Sequence, residues 1–169
     1  QAVMAIQNAR LFHETQEALQ RQTATTEVLQ VINASPGDLA PVFDAIVGNA
    51  LRLCDADGGG LWLVQDGKAT AQGLYGGNSP RAFTDWLANH VVPVTHLMGP
   101  DPLAQPYLHI VDVAASPAYQ KRLPIAVAFV ELGGGRTSLF LPLVEGGRLV
   151  GLLNLTRQKS RAFSDPQIA

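Results

Sequence analysis

The chain of 169 residues reads as an α+β domain built on one central antiparallel sheet of about five strands, with helices on both faces and a long N-terminal helix ahead of it. Three observations predict this. Residues 139–144 and 149–155, LFLPLV and LVGLLNL, are apolar runs joined through Glu145-Gly146-Gly147-Arg148, and paired glycines supply the positive backbone dihedrals of a tight hairpin. A sheet with one wet face alternates apolar and polar residues, so runs this apolar should be covered on both faces. A second pair of strands, residues 61–64 and 68–75, flanks a turn at Asp66-Gly67, and the helical and strand patterns follow one another without the alternation of a parallel sheet.

Residues 1–33 contain no Gly or Pro and read as one helix. Met4, Leu11, Ala18, Leu29 and Ile32 fall on a heptad seam with Asn8, Thr15, Gln22 and Thr25; Ala5, Ala9, Phe12 and Leu19 fall on a second one beside it. A helix with so polar a middle needs a partner. The expected partner is a second copy in a parallel homodimer, where polar seam positions leave register adjustable; packing on its own domain is the alternative.

Ser35-Pro36-Gly37 ends that helix, and Asp38 is placed to cap a second over 39–54, whose Leu39, Val42, Phe43, Ile46, Val47, Ala50, Leu53 and Cys54 recur at spacings of three and four. Residues 55–60 read as a break before the first strand. A short helix over 81–90 places Phe83, Trp86 and Leu87 on one side, and residues 91–107, with four prolines, read as an irregular loop. Residues 108–113 read as a short strand. Ser116-Pro117 starts a helical stretch that Pro124 interrupts, and Gly133-Gly134-Gly135 ends it. Pro142 cannot donate to a ladder and belongs at a bulge or on an unpaired side. Ser164-Asp165-Pro166 is a helix start with three residues after it, so the last helix is expected to be truncated.

From about residue 38 the chain resembles a GAF domain, the small-molecule and signalling module of bacterial sensor kinases and cyclases. The resemblance rests on LAPVFDAIVGNALRLCDAD leading into GGGLWLVQDG, on HIVDVAASPAY, and on SLFLPLVEGGRLVGLLNL followed by RAFSDPQ. It implies terminal helices on one sheet face and, on the other, shorter helices and loops enclosing a pocket. QAVMAIQNARLF at the start looks like the closing helix of a preceding domain of the same kind. The implied organisation is a linker helix over 1–34 and a GAF domain over 38–169, flanked by further signalling domains in a cytoplasmic, sensor histidine kinase-like protein.

Candidate chemistry is sparse. A net charge of −2 gives no footprint for nucleic acid or anionic membrane, and Arg157, Lys159 and Arg161 read as a solvated strand exit. No apolar run approaches the roughly 18 residues of a membrane span. The lone Cys54 excludes an internal disulfide and reads as a buried thiol. The tetrapyrrole-binding relatives implied by the resemblance attach their chromophore through a pocket cysteine, and Cys54 sits instead on the first core helix, so no covalent bilin is expected and no other cofactor is identifiable. Against the Asn-Lys-Phe-Asp-Glu signature of cyclic-nucleotide binders, Asn154, Phe163 and Asp165 match, but Leu155 replaces the lysine and Gln167 is a poor match for the acid. No nucleophile–base pair, phosphate loop or metal-ligand spacing is present, and the pocket cysteines of the methionine sulfoxide reductases that share this fold are missing. Catalytic and metal residues are therefore expected to be none. The candidate ligand pocket is Trp86, His90, His96, Tyr107, Tyr119 and Phe129, all in the layer expected over one sheet face, where aromatic rings can stack on a planar ligand. Two functions compete: a sensory module for an unknown small molecule, and a purely structural dimerisation and relay module.

Overall fold

A computed structural model describes residues 4, 6, 7, 10–12, 14–16, 40–75 and 79–168. Two compact units divide the chain, residues 1–46 and 47–169. In the first, residues 4, 6, 7, 10–12 and 14–16 are helical, with an Arg10–Glu14 ion pair one turn apart and the Thr15 hydroxyl donating to the Leu11 carbonyl. Met4, Leu11 and Phe12, members of the two expected seams, are 59–71% exposed. Thr15, on the first seam, is exposed as well; the Asp38 cap and the other seam positions named above lie outside the described residues.

Among the described residues the sheet has six antiparallel strands in the order β3-β2-β1-β6-β5-β4. They are β1 (Gly58–Gln65), β2 (Lys68–Tyr75), β3 (Val92–Pro93), β4 (Leu108–Ile110), β5 (Thr137–Glu145) and β6 (Arg148–Arg157). The strand beyond the expected five is β3, two residues pairing with Lys68 and Ala69 at the sheet edge, too short to show a period and tolerant of Pro93 for that reason. β1 also begins earlier than expected. Gly58, Gly59 and Gly60 belong to the strand, because a Cβ at Gly59 would lie 2.5 Å from the Asn154 carbonyl oxygen and 3.2 Å from Leu51 and Leu155. The central hairpin β5–β6 matches the expectation, with positive φ at Gly146 and Gly147. Pro142 lies past the reach of β4, which pairs only as far as Phe140, and just before a bulge at Leu143/Val144.

Both faces are covered. Helix α1 (Ala40–Cys54) lays Ala50, Leu51 and Cys54 on Leu139, Leu141 and Leu155, with Phe163 and Ile168 closing the cluster. On the opposite face Trp62, Phe140 and Leu152 lie beneath Phe83 and Leu87 of α2 (Arg81–Ala88), Leu97 and Met98 of α3 (Val94–Met98), and Ile125 of α5 (Pro124–Val127). Ser116 caps α4 (Pro117–Gln120), its Oγ accepting the Tyr119 N–H at 3.4 Å. Pro124 restarts the chain as α5, which runs into a π-helical turn at Ala128–Leu132 whose Ala128 carbonyl accepts the Gly133 N–H.

The exit of β6 is not a solvated end. Arg157 is 1% exposed, its guanidinium 3.9 Å from the Phe163 ring centre. It donates to the carbonyls of Cys54 (2.7 Å), Asp55 (3.2 Å), Arg161 (3.0 Å) and Ala162 (2.7 Å) and to Gln167 Oε1 (3.3 Å). Carbonyls left unpaired at the C-terminal end of α1 present partial negative charge, and a planar five-donor cation answers several at once. Burial lowers the Arg157 pKa from its ordinary value. Arg161 does stay at the surface, paired with Asp55 at 2.8 Å. The final helix α6 (Asp165–Ile168) is opened by one half of a capping box: Gln167 Oε1 accepts the Ser164 N–H at 3.0 Å, while its Nε2 donates to the Cys54 carbonyl at 2.9 Å.

Candidate functional site: a cavity between the sheet and the short helices

Side chains alternate across a strand, so the register decides which residues share a face. Trp62 stands opposite Leu152, Gly60 opposite Asn154, and Asn154 opposite Phe140. That places Trp62, Phe140, Asn154 and Ser138 on the face beneath the short helices, with Gly60 contributing no side chain. Over them a cavity of about 50 Å³ remains, roofed by His96 from α3, Ile125 from α5 and Phe129 from the π turn. Phe129 is held edge-on to Phe83 with ring centres 6.0 Å apart. Gly135 lies against the Phe129 ring so closely that a Cβ there would overlap it, so the glycine run seats this wall as well as ending the helix.

The cavity is mostly apolar. Asn154 Nδ2 donates to Ser138 Oγ at 2.9 Å and to the Leu139 carbonyl at 3.1 Å. Trp62, 3% exposed, has an indole N–H with no hydrogen-bond partner, the one buried side-chain polar atom in that state among the described residues. A buried donor left dry costs about 1–3 kcal/mol. No group of three or more His, Cys, Asp and Glu able to hold a metal occurs among the described residues. Cys54 lies across the sheet, its Sγ 3.2 Å from the Gln167 carbonyl oxygen and its pKa raised by burial.

Of the six residues singled out from sequence, Phe129 and His96 line the cavity. Trp86 packs at the edge of the core and stacks on His90 (4.1 Å between centres, 7° between planes), and His90 Nδ1 lies 2.6 Å from the Trp86 carbonyl oxygen. Tyr107 is exposed, and Tyr119 donates its hydroxyl to Glu131 at 3.0 Å; neither lines the cavity. Trp62, Ser138 and Phe140 were missed. Asn154 was noticed only as part of a motif, although a polar residue inside a strand covered on both faces was itself a signal.

The family model of the GAF domain matches residues 38–169. The chain belongs to the GAF domain family. No curated protein matches it. Among solved structures, the GAF domain of a phosphoenolpyruvate-protein phosphotransferase from Coxiella burnetii is 19% identical with a TM-score of 0.66, over 89% of this chain and 85% of that one. A domain of a putative two-component sensor histidine kinase from Sinorhizobium meliloti is 17% identical (TM-score 0.58; 78% and 81%). A type II free methionine-R-sulfoxide reductase from Thermoplasma acidophilum is also 17% identical (TM-score 0.52; 73% and 77%). At these identities the likeness shows the shared GAF fold. No helix among the described residues is long and apolar enough to cross a membrane.

Proposed function

We propose that this GAF domain is a non-catalytic sensory module of a cytoplasmic, multidomain signalling protein of the sensor histidine kinase kind, binding a small molecule in the cavity over Trp62, Phe140 and Asn154. The observation that carries this reading is the mostly apolar cavity beneath the short helices, whose lining includes the polar side chains of Ser138, Asn154 and His96. A site of that composition suits a ligand better than it suits chemistry, which would need convergent titratable groups. Covalent bilin attachment is not proposed, since Cys54 is on the other face. The linker helix over 1–33 would carry the response as a parallel homodimer, its exposed Met4, Leu11 and Phe12 serving as part of the seam.

A metabolite panel in thermal-shift assays tests the ligand, because only a molecule that binds the native state raises the melting temperature. Native mass spectrometry of freshly purified protein looks for one retained. No shift and no retained molecule would favour the alternative, a structural dimerisation and relay module, for which the small size of the cavity speaks. Sedimentation of the full chain and of a chain lacking residues 1–33 tests the dimer; an unchanged dimer after deletion would place the contact elsewhere.

A further inference from the structure

The geometry points to a small uncharged ligand with a hydrogen-bond donor and an acceptor on one edge, the pattern of a primary carboxamide or a urea; this rests on the ligand-binding reading above. Asn154, 8% exposed, sets the donor half. Its Nδ2 donates to the Leu139 carbonyl, which can only accept, so the amide is held one way round and Oδ1 turns away from that carbonyl. Oδ1 has no partner among the described residues, and it is not sealed off, because the one buried, unpartnered side-chain polar atom among them is the Trp62 nitrogen. Asn154 lines the cavity, so that is where Oδ1 is open, an acceptor that calls for a donor.

Ser138, 4% exposed, sets the acceptor half. Its Oγ takes the other Nδ2 proton at 2.9 Å, and its own proton has no acceptor among the described residues. A primary carboxamide presents N–H and C=O side by side and so answers both groups. The His96 ring offers a donor and an acceptor when neutral and two donors when protonated; it meets either kind of atom and does not decide the class.

Charge works against this pair of groups. An anion sets an acceptor against the Oδ1 acceptor, and a cation gives up its hydration for a lining in which the described residues include no Asp or Glu. Size is a further limit. About 50 Å³ is roughly a third of the 150 Å³ cavity that admits benzene, so about two to four heavy atoms fit. The upper end needs the roof to yield slightly, and its helices of five and four residues have few internal hydrogen bonds to lose.

The test is a titration of the ¹⁵N-labelled full chain at neutral pH and constant ionic strength with acetamide, acetone, acetate and acetamidinium, which share one shape. Molecules this small bind at millimolar concentrations at best, so the series runs to about 0.5 M. The readout is the Asn154 side-chain amide, assigned by its loss in Asn154→Leu, and the Ser138 backbone amide. Acetamide should shift both and bind about tenfold more tightly than acetone, which accepts from Ser138 but gives Oδ1 no donor. Acetate and acetamidinium should not bind there. In Asn154→Leu acetamide should fall to the acetone level, whereas Ser138→Ala should weaken the two by a similar factor. Equal affinities for acetamide and acetone in the unmodified chain, or binding of either ion at these amides, would overturn the ligand class and leave the site standing. Shifts from none of the four would mean that the cavity takes water only and overturn the class too; a metabolite panel without thermal shifts would then remove the ligand-binding reading with it. The comparison on the unmodified chain decides the matter even if a variant does not fold.

Discussion

On one face of the sheet, Leu139 and Leu155 are sealed by α1, Phe163 and Ile168, and the polar groups at that rim are paired: Arg157 makes five hydrogen bonds and Gln167 ties two helix ends together. On the other face Trp62, Phe140 and Asn154 meet a layer of short pieces that leaves a cavity and an unpaired donor. The difference lies in the covering elements. A 15-residue helix presents one continuous stripe along the strands. The opposite layer is interrupted at Pro93, Pro117 and Pro124, so its side chains arrive from several directions and do not interdigitate everywhere. One sheet thus carries a closed, structural face and an incompletely filled one.

The comparison is broken most directly at Arg157. Replacing it with Met removes five hydrogen bonds and the cation–π contact with Phe163, and denaturant unfolding should show a loss of about 3–5 kcal/mol. A loss under about 1 kcal/mol would mean water takes over and the face is not closed. Leu139→Ala, at a site with 0% exposure on the same face, should cost about 2–5 kcal/mol by the same measurement.

On the cavity face, Gly135→Ala forces the Phe129 ring aside and should cost about 1–3 kcal/mol, with the ring movement visible in the chemical shifts of His96 and Ile125. Trp62→Phe should change stability by less than about 1.5 kcal/mol, because the apolar area lost is offset by removal of a buried donor without a partner. A large loss there would show that the indole N–H is satisfied after all.

The smallest expected effect is a pH dependence at His109. Its Nε2 accepts the Phe163 N–H at 3.2 Å, and burial, then the nearby Arg157 charge, holds its pKa below the ordinary value. The unfolded chain therefore binds the proton first, so this contribution is complete above about pH 6.5 and declines as pH falls below it toward the folded-state pKa. Unfolding free energies between pH 5 and 8, in the native chain and in His109→Gln, should differ in slope in that sense; parallel curves would remove His109 from the account.

The strand alternation that separates the two faces was only partly legible. In LFLPLV and LVGLLNL both parities are apolar, so pattern alone could not say whether Leu139 or Phe140 faces α1. Trp86 and Tyr119 fell in the right layer but found other partners, His90 by ring stacking and Glu131 through the hydroxyl, whereas Trp62 lay inside a strand that reads as plain core. Arg157 was misjudged because its partners are carbonyls from residues 54, 55, 161 and 162, and backbone acceptors leave no trace in a sequence.

What the sequence by itself determined is local: the two hairpins through their Asp-Gly and Gly-Gly turns, the α1 stripe through its period, the breaks through proline, and the GAF family through motifs strung in order. Tertiary structure alone decided which strand face each residue serves, that three glycines continue a strand, that an arginine is buried, and that a space remains over Trp62. Each of these depends on how closely segments distant in the chain approach one another, and packing of that kind is fixed by volumes and hydrogen-bond partners brought together only on folding.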